Sequence, residues 1–264
     1  MKVLLIGDIC GKAGVKAAAE YLRANRDAMD IDIVVANAEN SANRGTGLSR
    51  DAAVSLINDG VDVITLGNHS YKDRDIYNLF RDFDNIIRPA NYPDGVPGRG
   101  TAIYYTRCGA VGVINILGRL YMESYDCPFT AAEREIAKMR SQTNMIIIDM
   151  HAEATSEKRA VASCVDGRCS LFAGTHTHVQ TADEQILPGG TAFITDVGMT
   201  GPADGIIGVK TEIAVRRFRT LIPERFTPAE GRSQFNAILA EIDEEDGRAV
   251  SICRVNTITG DGIQ

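Results

Sequence analysis

The sequence predicts an α/β fold in which two packed sheets lie between helices. Strand-like and helix-like segments alternate through the first 66 residues, a glycine-containing hairpin near residue 108 interrupts that alternation, and further strand signals follow late in the chain. Alternation calls for right-handed crossovers and a buried, mostly parallel sheet. The hairpin and the late strands exceed what one doubly wound sheet takes, which favours two sheets.

Taken in order, Val3 to Gly7 is an apolar run and reads as the first strand. Gly14 to Asp27, rich in alanine with Tyr21 and Leu22 on a helical period, reads as a helix. Ile31 to Ala36 is a β-branched strand, Asn37 to Gly47 a polar loop, Ser49 the N-cap of a helix reaching Asn58, and Val61 to Leu66 a third strand. A helix over Asp73 to Asp82 precedes the turn-rich stretch Arg88 to Gly100. Ala102 to Arg107 and Ala110 to Leu117 form the hairpin about Cys108-Gly109. Then come a helix from Thr130 to Arg140, a strand from Met145 to Met150, a helix from Ser156 to Cys164 and a strand from Cys169 to Ala173. The tail adds strand signals at Gly190 to Ile194, Asn236 to Ile242 and Ala249 to Thr257.

With 264 residues and no repeat or low-complexity linker, the chain is expected to form one domain, 1–264. Its net charge of -7 argues against an extended nucleic-acid surface. The six cysteines show neither a C-x-x-C pair nor disulfide-scaffold density, so a reducing cytoplasm is expected. The opening apolar run is too short for a signal peptide, and no run approaches the ~20 apolar residues that span a bilayer. No membrane association is expected, and a homo-oligomer is left open.

All four histidines, His69, His151, His176 and His178, follow apolar strand-like runs. His176 and His178 stand two apart; on an extended segment both imidazoles leave the same side of the backbone and reach one point. Asp8 and Glu39 occupy equivalent places after the first two strands. Singly, each acid reads as a helix cap or a solvated loop carboxylate. Together with Asn68 and the histidines they provide the oxygen and imidazole donors that suit iron, manganese or zinc at an open catalytic site. Two divalent ions need an anionic bridge, and an amide fills a remaining position without adding charge. Such a pair, roughly 3.5 to 4 Å apart, clamps phosphate oxygens and makes hydroxide available near neutral pH. Hydrolysis of a phosphate ester is the natural use.

The ordered blocks Gly7-Asp8-Ile9-Cys10-Gly11, Asn37-Ala38-Glu39-Asn40, Gly67-Asn68-His69, Met150-His151-Ala152-Glu153 and Gly174-Thr175-His176-Thr177-His178 resemble those of the calcineurin-like metallophosphoesterase superfamily. The chain is most similar to its bacterial YmdB-like branch, and the likeness extends to Arg88-Pro89-Ala90-Asn91, to His151 through Lys158, and to Thr195 through Pro202. The resemblance implies a four-layer α/β/β/α sandwich with two divalent transition-metal ions, iron first and manganese or zinc as alternatives. It implies one ion on Asp8, Glu39 and His178, and a second on Glu39, Asn68, His151 and His176, with Glu39 as the bridge. It places Asn40 and His69 at the phosphate, with His69 as general acid or leaving-group stabiliser. It implies phosphodiesterase activity on cyclic nucleotides, notably 2',3'-cyclic nucleotides, by attack of hydroxide held at the metals.

Two positions depart from the wider superfamily, which usually has histidine where Cys10 stands and an aspartate bridge where Glu39 stands. Cys10 reads as a packing thiol, which leaves the first metal an open position. The stretch Gly7 to Ala13 is one residue short of a P-loop and lacks its hydroxyl. Cys164 and Cys169 read as ordinary thiols, and the acids between Glu241 and Asp246 as a solvated turn. The loops Tyr121 to Phe129 and Gly198 to Gly205 are expected to border the pocket. Two other functions stay open, a phosphomonoesterase on nucleotides or phosphoproteins and a metal-dependent regulatory nucleotide-binding protein. A Rossmann-like binder is disfavoured, since no Gly-x-Gly-x-x-Gly follows the first strand. The expected partner is a small phosphodiester or nucleotide.

Overall fold

Continuous apolar runs suit strands buried on both faces, and their alternate residues must then serve two different cores. The computed structural model describes residues 1–259 and follows this rule in the central strands of its sheets. The first half contains β1 (Lys2–Ile6), β2 (Asp8–Ile9), α1 (Gly11–Asn25), β3 (Ile33–Asn37), α2 (Arg50–Asn58), β4 (Val63–Thr65), α3 (Ile76–Asp82), β5 (Thr101–Thr106) and β6 (Gly109–Leu117). The second contains α4 (Pro128–Met139), β7 (Met145–His151), α5 (Thr155–Val165), β8 (Leu171–Thr175), β9 (Gln185–Ile186), β10 (Ala192–Ile194), β11 (Met199–Pro202), α6 (Thr211–Thr220), β12 (Ser233–Ile242) and β13 (Ala249–Thr259).

Seven strands form the first sheet. β1, β3 and β4 run parallel, and β12 pairs antiparallel with β1. β13 pairs with the whole length of β12, so β1 and β11 share the other edge of that strand. β11 in turn pairs with β2. The second sheet has the order β5-β6-β7-β8-β10-β9, parallel across β6, β7, β8 and β10 with an antiparallel strand at each edge.

Residue parity decides which core each side chain enters. In β1, Val3 and Leu5 face the second sheet while Leu4 and Ile6 face helices; in β7, Met145 and Ile147 face the first sheet while Ile146 and Ile148 face helices. α1, α2 and α3 cover the first sheet through Leu22, Leu56 and Leu79. α4 and α5 cover the second through Ile136 and Val161. The result is the expected four-layer α/β/β/α sandwich.

Ser49 caps α2 as expected, accepting a hydrogen bond from the Ala52 amide. The expected elements all occur with ends shifted by a few residues, and β2, β9, β11 and α6 are additions. β11 corrects the loop expected at Gly198 to Gly205. Pro202 sits at the strand's last position, where proline is tolerated, opposite Ser233.

Candidate metal centre

The chemistry-bearing residues lie at the carboxyl ends of the parallel strands, where open α/β sheets gather their ligands. Asp8 opens β2 and is fixed by register with Met199. Glu39 and Asn40 follow β3, and Asn68 and His69 follow β4. From the opposite sheet, His151 ends β7 and His176 and His178 follow β8.

His176 and His178 reach the site by a route other than the expected extended strand. β8 ends at Thr175, and the two histidines have φ of 102° and 67°, a left-handed backbone that costs a non-glycine residue about 1–3 kcal/mol. Hydrogen bonds to two buried carboxylates, Asp196 and Asp8, hold them there. Asp196 Oδ2 accepts from the Thr177 amide at 3.0 Å, the Thr177 hydroxyl at 2.8 Å and the Lys158 ammonium at 2.7 Å. The His176 amide donates to Asp8 Oδ2 at 2.9 Å.

His151 Nε2 is the hub. It lies 3.0 Å from Glu39 Oε1, 3.1 Å from Asn68 Oδ1 and 3.0 Å from His176 Nδ1. Glu39 Oε2 accepts from the His69 amide at 2.7 Å, and Glu39 Oε1 lies 3.3 Å from His69 Nδ1. His178 Nδ1 donates to the Ile207 carbonyl at 3.0 Å, since a carbonyl only accepts; its Nε2 lone pair is therefore directed inward, 3.8 Å from Asp8 Oδ1 and 4.0 Å from Cys10 Sγ. His69 Nδ1 pairs with Asn40 Oδ1 at 2.7 Å. All eight expected site residues thus meet at one place. Gly67 is required beside them, because a Cβ there would sit 2.3 Å from His151 Cδ2 and 2.4 Å from Glu39 Oε2.

Burial alone would raise the Glu39 carboxyl, but charge and hydrogen bonds from His151 and His69 hold it well below its ordinary value. Burial lowers His151, and Glu39, Asp8 and Asp149 outweigh it to raise the ring to about 9. His176 is pushed down to about 4 by burial and the neighbouring His151 charge. Burial raises Asp8, aided by Asp196 and Glu39 against the two histidines. Burial also raises the Cys10 thiol, which lies 4.0 Å from His178 Nε2.

The donor set fits divalent cations. Asp8 Oδ1 is fully buried and, among the described residues, has no hydrogen-bond partner, an arrangement that costs about 1–3 kcal/mol unless a cation serves the oxygen. Glu39, His151 and His176 offer ligand atoms that all lie within 4.8 Å of one another, and none of the three is fully exposed.

A cavity of about 610 Å³ opens on this cluster, a size that suits a small organic ligand. Its rim differs from the expected one. Arg44 to Thr46, Ile207 to Val209 and Glu224 to Pro228 line it, while Tyr121 to Phe129 packs elsewhere through Tyr125 against Tyr92. Phe226 is 40% exposed in this wall, with the Arg217 guanidinium 4.5 Å from its ring centroid. Sequence reasoning assigned no role to Glu153, whose Oε2 lies 3.1 Å from His176 Nε2, or to the Lys158–Asp196 pair. The available signal for the latter is that Lys158 falls on the buried stripe of α5 with Val161, Ala162 and Val165.

A model of the YmdB-like protein family matches residues 4–255. The chain belongs to the YmdB-like family. Its relatives include the 2',3'-cyclic-nucleotide 2'-phosphodiesterase of Bacillus subtilis (strain 168), 44% identical over 97% of this chain and 96% of that one. The crystal structure of a hypothetical protein from Thermus thermophilus superposes with a TM-score of 0.92 at 39% identity, covering 98% of this chain and 99% of that one. That of a phosphatase from Mycoplasma pneumoniae gives 0.92 at 31% identity, covering 99% and 94%. The layered fold is shared with a putative 5'-nucleotidase from Staphylococcus aureus, TM-score 0.64 at 13% identity, covering 100% of this chain and 56% of that one, and the expected class, a phosphoric diester hydrolase, is the class of the Bacillus relative.

Proposed function

We propose that the protein is a di-metal phosphodiesterase that opens 2',3'-cyclic nucleotides. The observation that carries this reading is the buried Asp8 Oδ1, without a hydrogen-bond partner among the described residues and with the rings of His151 and His178 3.7 and 3.8 Å away. One ion is held by Asp8, Glu39 and His178, and the second by Glu39, Asn68, His151 and His176. The mixture of imidazole, carboxylate and amide donors suits iron, with manganese and zinc as substitutes. When bound, such a pair neutralises phosphate charge and makes hydroxide available near neutral pH.

The chain's own residues supply orientation and a proton. With Nδ1–H donating to Asn40 Oδ1, His69 in its imidazolium form carries a second proton on Nε2, and that is the proton it gives to the leaving ribose oxygen. Asn40 fixes that ring and extends its amide to Glu39 Oε1 at 3.3 Å. Arg44 and Arg225 line the cavity and give it positive charge that suits an anionic ligand, and Phe226, part of the same wall, offers a platform on which a nucleobase stacks. The Bacillus relative's named substrate supports this choice over a bare phosphomonoester. Among the described residues no helix is long and apolar enough to cross a membrane, and all six cysteines are free, which suits a reducing cytoplasm.

The test combines metal analysis with hydrolysis of 2',3'-cyclic AMP. About two transition-metal ions per chain and a single nucleotide monoester product are expected. Glu39→Gln and His151→Ala abolish turnover, whereas His69→Ala slows it with metal retained. Full activity in metal-free protein refutes the reading, and a preference for monoester over diester substrates redirects it to a phosphomonoesterase.

A further inference from the structure

Asp149 is an acid inside the apolar run Ile146-Ile147-Ile148-Asp149-Met150, fully buried and outside the ligand set. Strand parity places it on the inter-sheet face that begins with Met145 and Ile147. The same parity places Asn37, Thr65, Asn115 and Thr175 there, with Asn37, Thr65 and Thr175 each the last residue of its strand and Asn115 two residues before the end of β6. Asp149 Oδ2 accepts from Thr65 Oγ1 at 2.5 Å and Asn37 Nδ2 at 3.0 Å, and Asp149 Oδ1 accepts from Thr175 Oγ1 at 2.7 Å.

The Thr175 hydroxyl has one proton, and a carboxylate only accepts. That proton is therefore committed to Asp149. The Thr175 oxygen lies 2.9 Å from His151 Nδ1 and must be the acceptor in this second bond, which requires a proton on Nδ1. Asn37 Nδ2, 3.4 Å from the same oxygen, is a second donor to it.

We propose that Asp149 is a positioning residue: through the Thr175 hydroxyl it fixes the Nδ1–H form of His151 and presents the Nε2 lone pair to a metal ion. Outer hydrogen bonds of this kind orient a ligating ring and raise its basicity. The proposal rests on the metal-centre reading above but not on the choice of substrate. A purely structural role is the competing account, because the Thr65 and Asn37 bonds also tie the two sheets together.

The experiment uses the full chain, stripped of metal and titrated with zinc in competition with a chromophoric chelator. Melting curves of the metal-free proteins and ¹⁵N-histidine spectra of the zinc-loaded ones accompany it. Thr175→Ser keeps the hydroxyl and binds both zinc ions as the unaltered protein does. Thr175→Val leaves Nδ1–H without an acceptor and weakens one of the two zinc equivalents by about 10- to 100-fold. Asp149→Asn weakens it at least as much, because its amide can donate to Thr175 and turn the hydroxyl proton onto Nδ1. In unaltered protein, the His151 spectrum shows a protonated, slowly exchanging Nδ1 and a zinc-bound Nε2.

Zinc affinities of Thr175→Val and Asp149→Asn within twofold of the unaltered protein, whatever their melting points, overturn the proposal and leave Asp149 as a tie between sheets. Should Asp149→Asn fail to fold, the Thr175→Val and Thr175→Ser pair decides alone. Unaltered protein that binds no zinc overturns this proposal and the metal reading together. Protein that binds zinc but leaves cyclic nucleotides intact overturns only the substrate reading.

Discussion

Replacing Gly67 with alanine adds one methyl group at the point where the two sheets present their ligands. The new Cβ would lie 2.3 Å from His151 Cδ2, 2.5 Å from His151 Nε2 and 2.4 Å from Glu39 Oε2. Ordinary contact needs roughly 3.5 Å or more, so the imidazole and the carboxylate must retreat by about 1 Å. Neither has slack, since His151 is tied through Nδ1 to Thr175 and Glu39 through Oε2 to the His69 amide. The backbone of Gly67 must share the strain, and overpacking of this kind costs about 1–3 kcal/mol. A 1 Å misplacement of catalytic geometry lowers turnover by about a hundredfold. The variant should fold with a lowered melting temperature, lose metal measured by inductively coupled plasma analysis, and hydrolyse bis-p-nitrophenyl phosphate about a hundred times more slowly. Unchanged metal content together with activity within twofold would show that the ligands have freedom the packing denies, and would refute the reasoning.

Three further outcomes are expected. Lys158→Met leaves the Asp196 carboxylate buried without its cation, and urea unfolding should register a loss of about 3–5 kcal/mol; a loss below 1 kcal/mol contradicts the role given to this pair. Phe226→Ala should raise KM for 2',3'-cyclic AMP about tenfold while leaving ribose 2',3'-cyclic phosphate, which has no base, unaffected; equal effects on both substrates remove Phe226 as a stacking platform. Chelation should stop turnover and lower the melting temperature, with both restored by manganese or iron, because ligands that bind only the folded chain stabilise it by mass action. Chelator-resistant melting would mean that the centre binds no ion.

The parallel strands were legible because each is an apolar run that can be buried on both faces, and the site was legible because its histidines and acids end those runs. α6 was hidden for the opposite reason. Only Ala214 is buried, and the charged residues Glu212, Arg216, Arg217 and Arg219 outweigh the short apolar pattern of Ile213, Ala214 and Phe218. β2 and β9 have two residues each, too few to carry a pattern, and Gly201 with Pro202 makes β11 read as a turn. The turn at His176 and His178 was not readable either. Its positive φ values depend on Asp196 and Lys158, which lie 18 to 20 residues away in the chain and meet the turn only in the folded state. Asp149 was visible as an acid in the wrong company, but its use follows only when odd and even positions are assigned to separate cores.

The pairing of β1 with β12 bears on the order in which the molecule assembles. Lys2 stands opposite Glu241 and Ile6 opposite Ala237, so two strands far apart in the sequence lie side by side. β2, which holds Asp8, depends likewise on β11. Contacts this distant along the chain slow the search for the native topology, because a long loop must close before they contribute. Refolding should therefore proceed through a species in which the second sheet is formed and Asp8 is not yet in place. The capacity to capture an ion at full affinity should appear with the slowest phase, after most of the helical signal has returned.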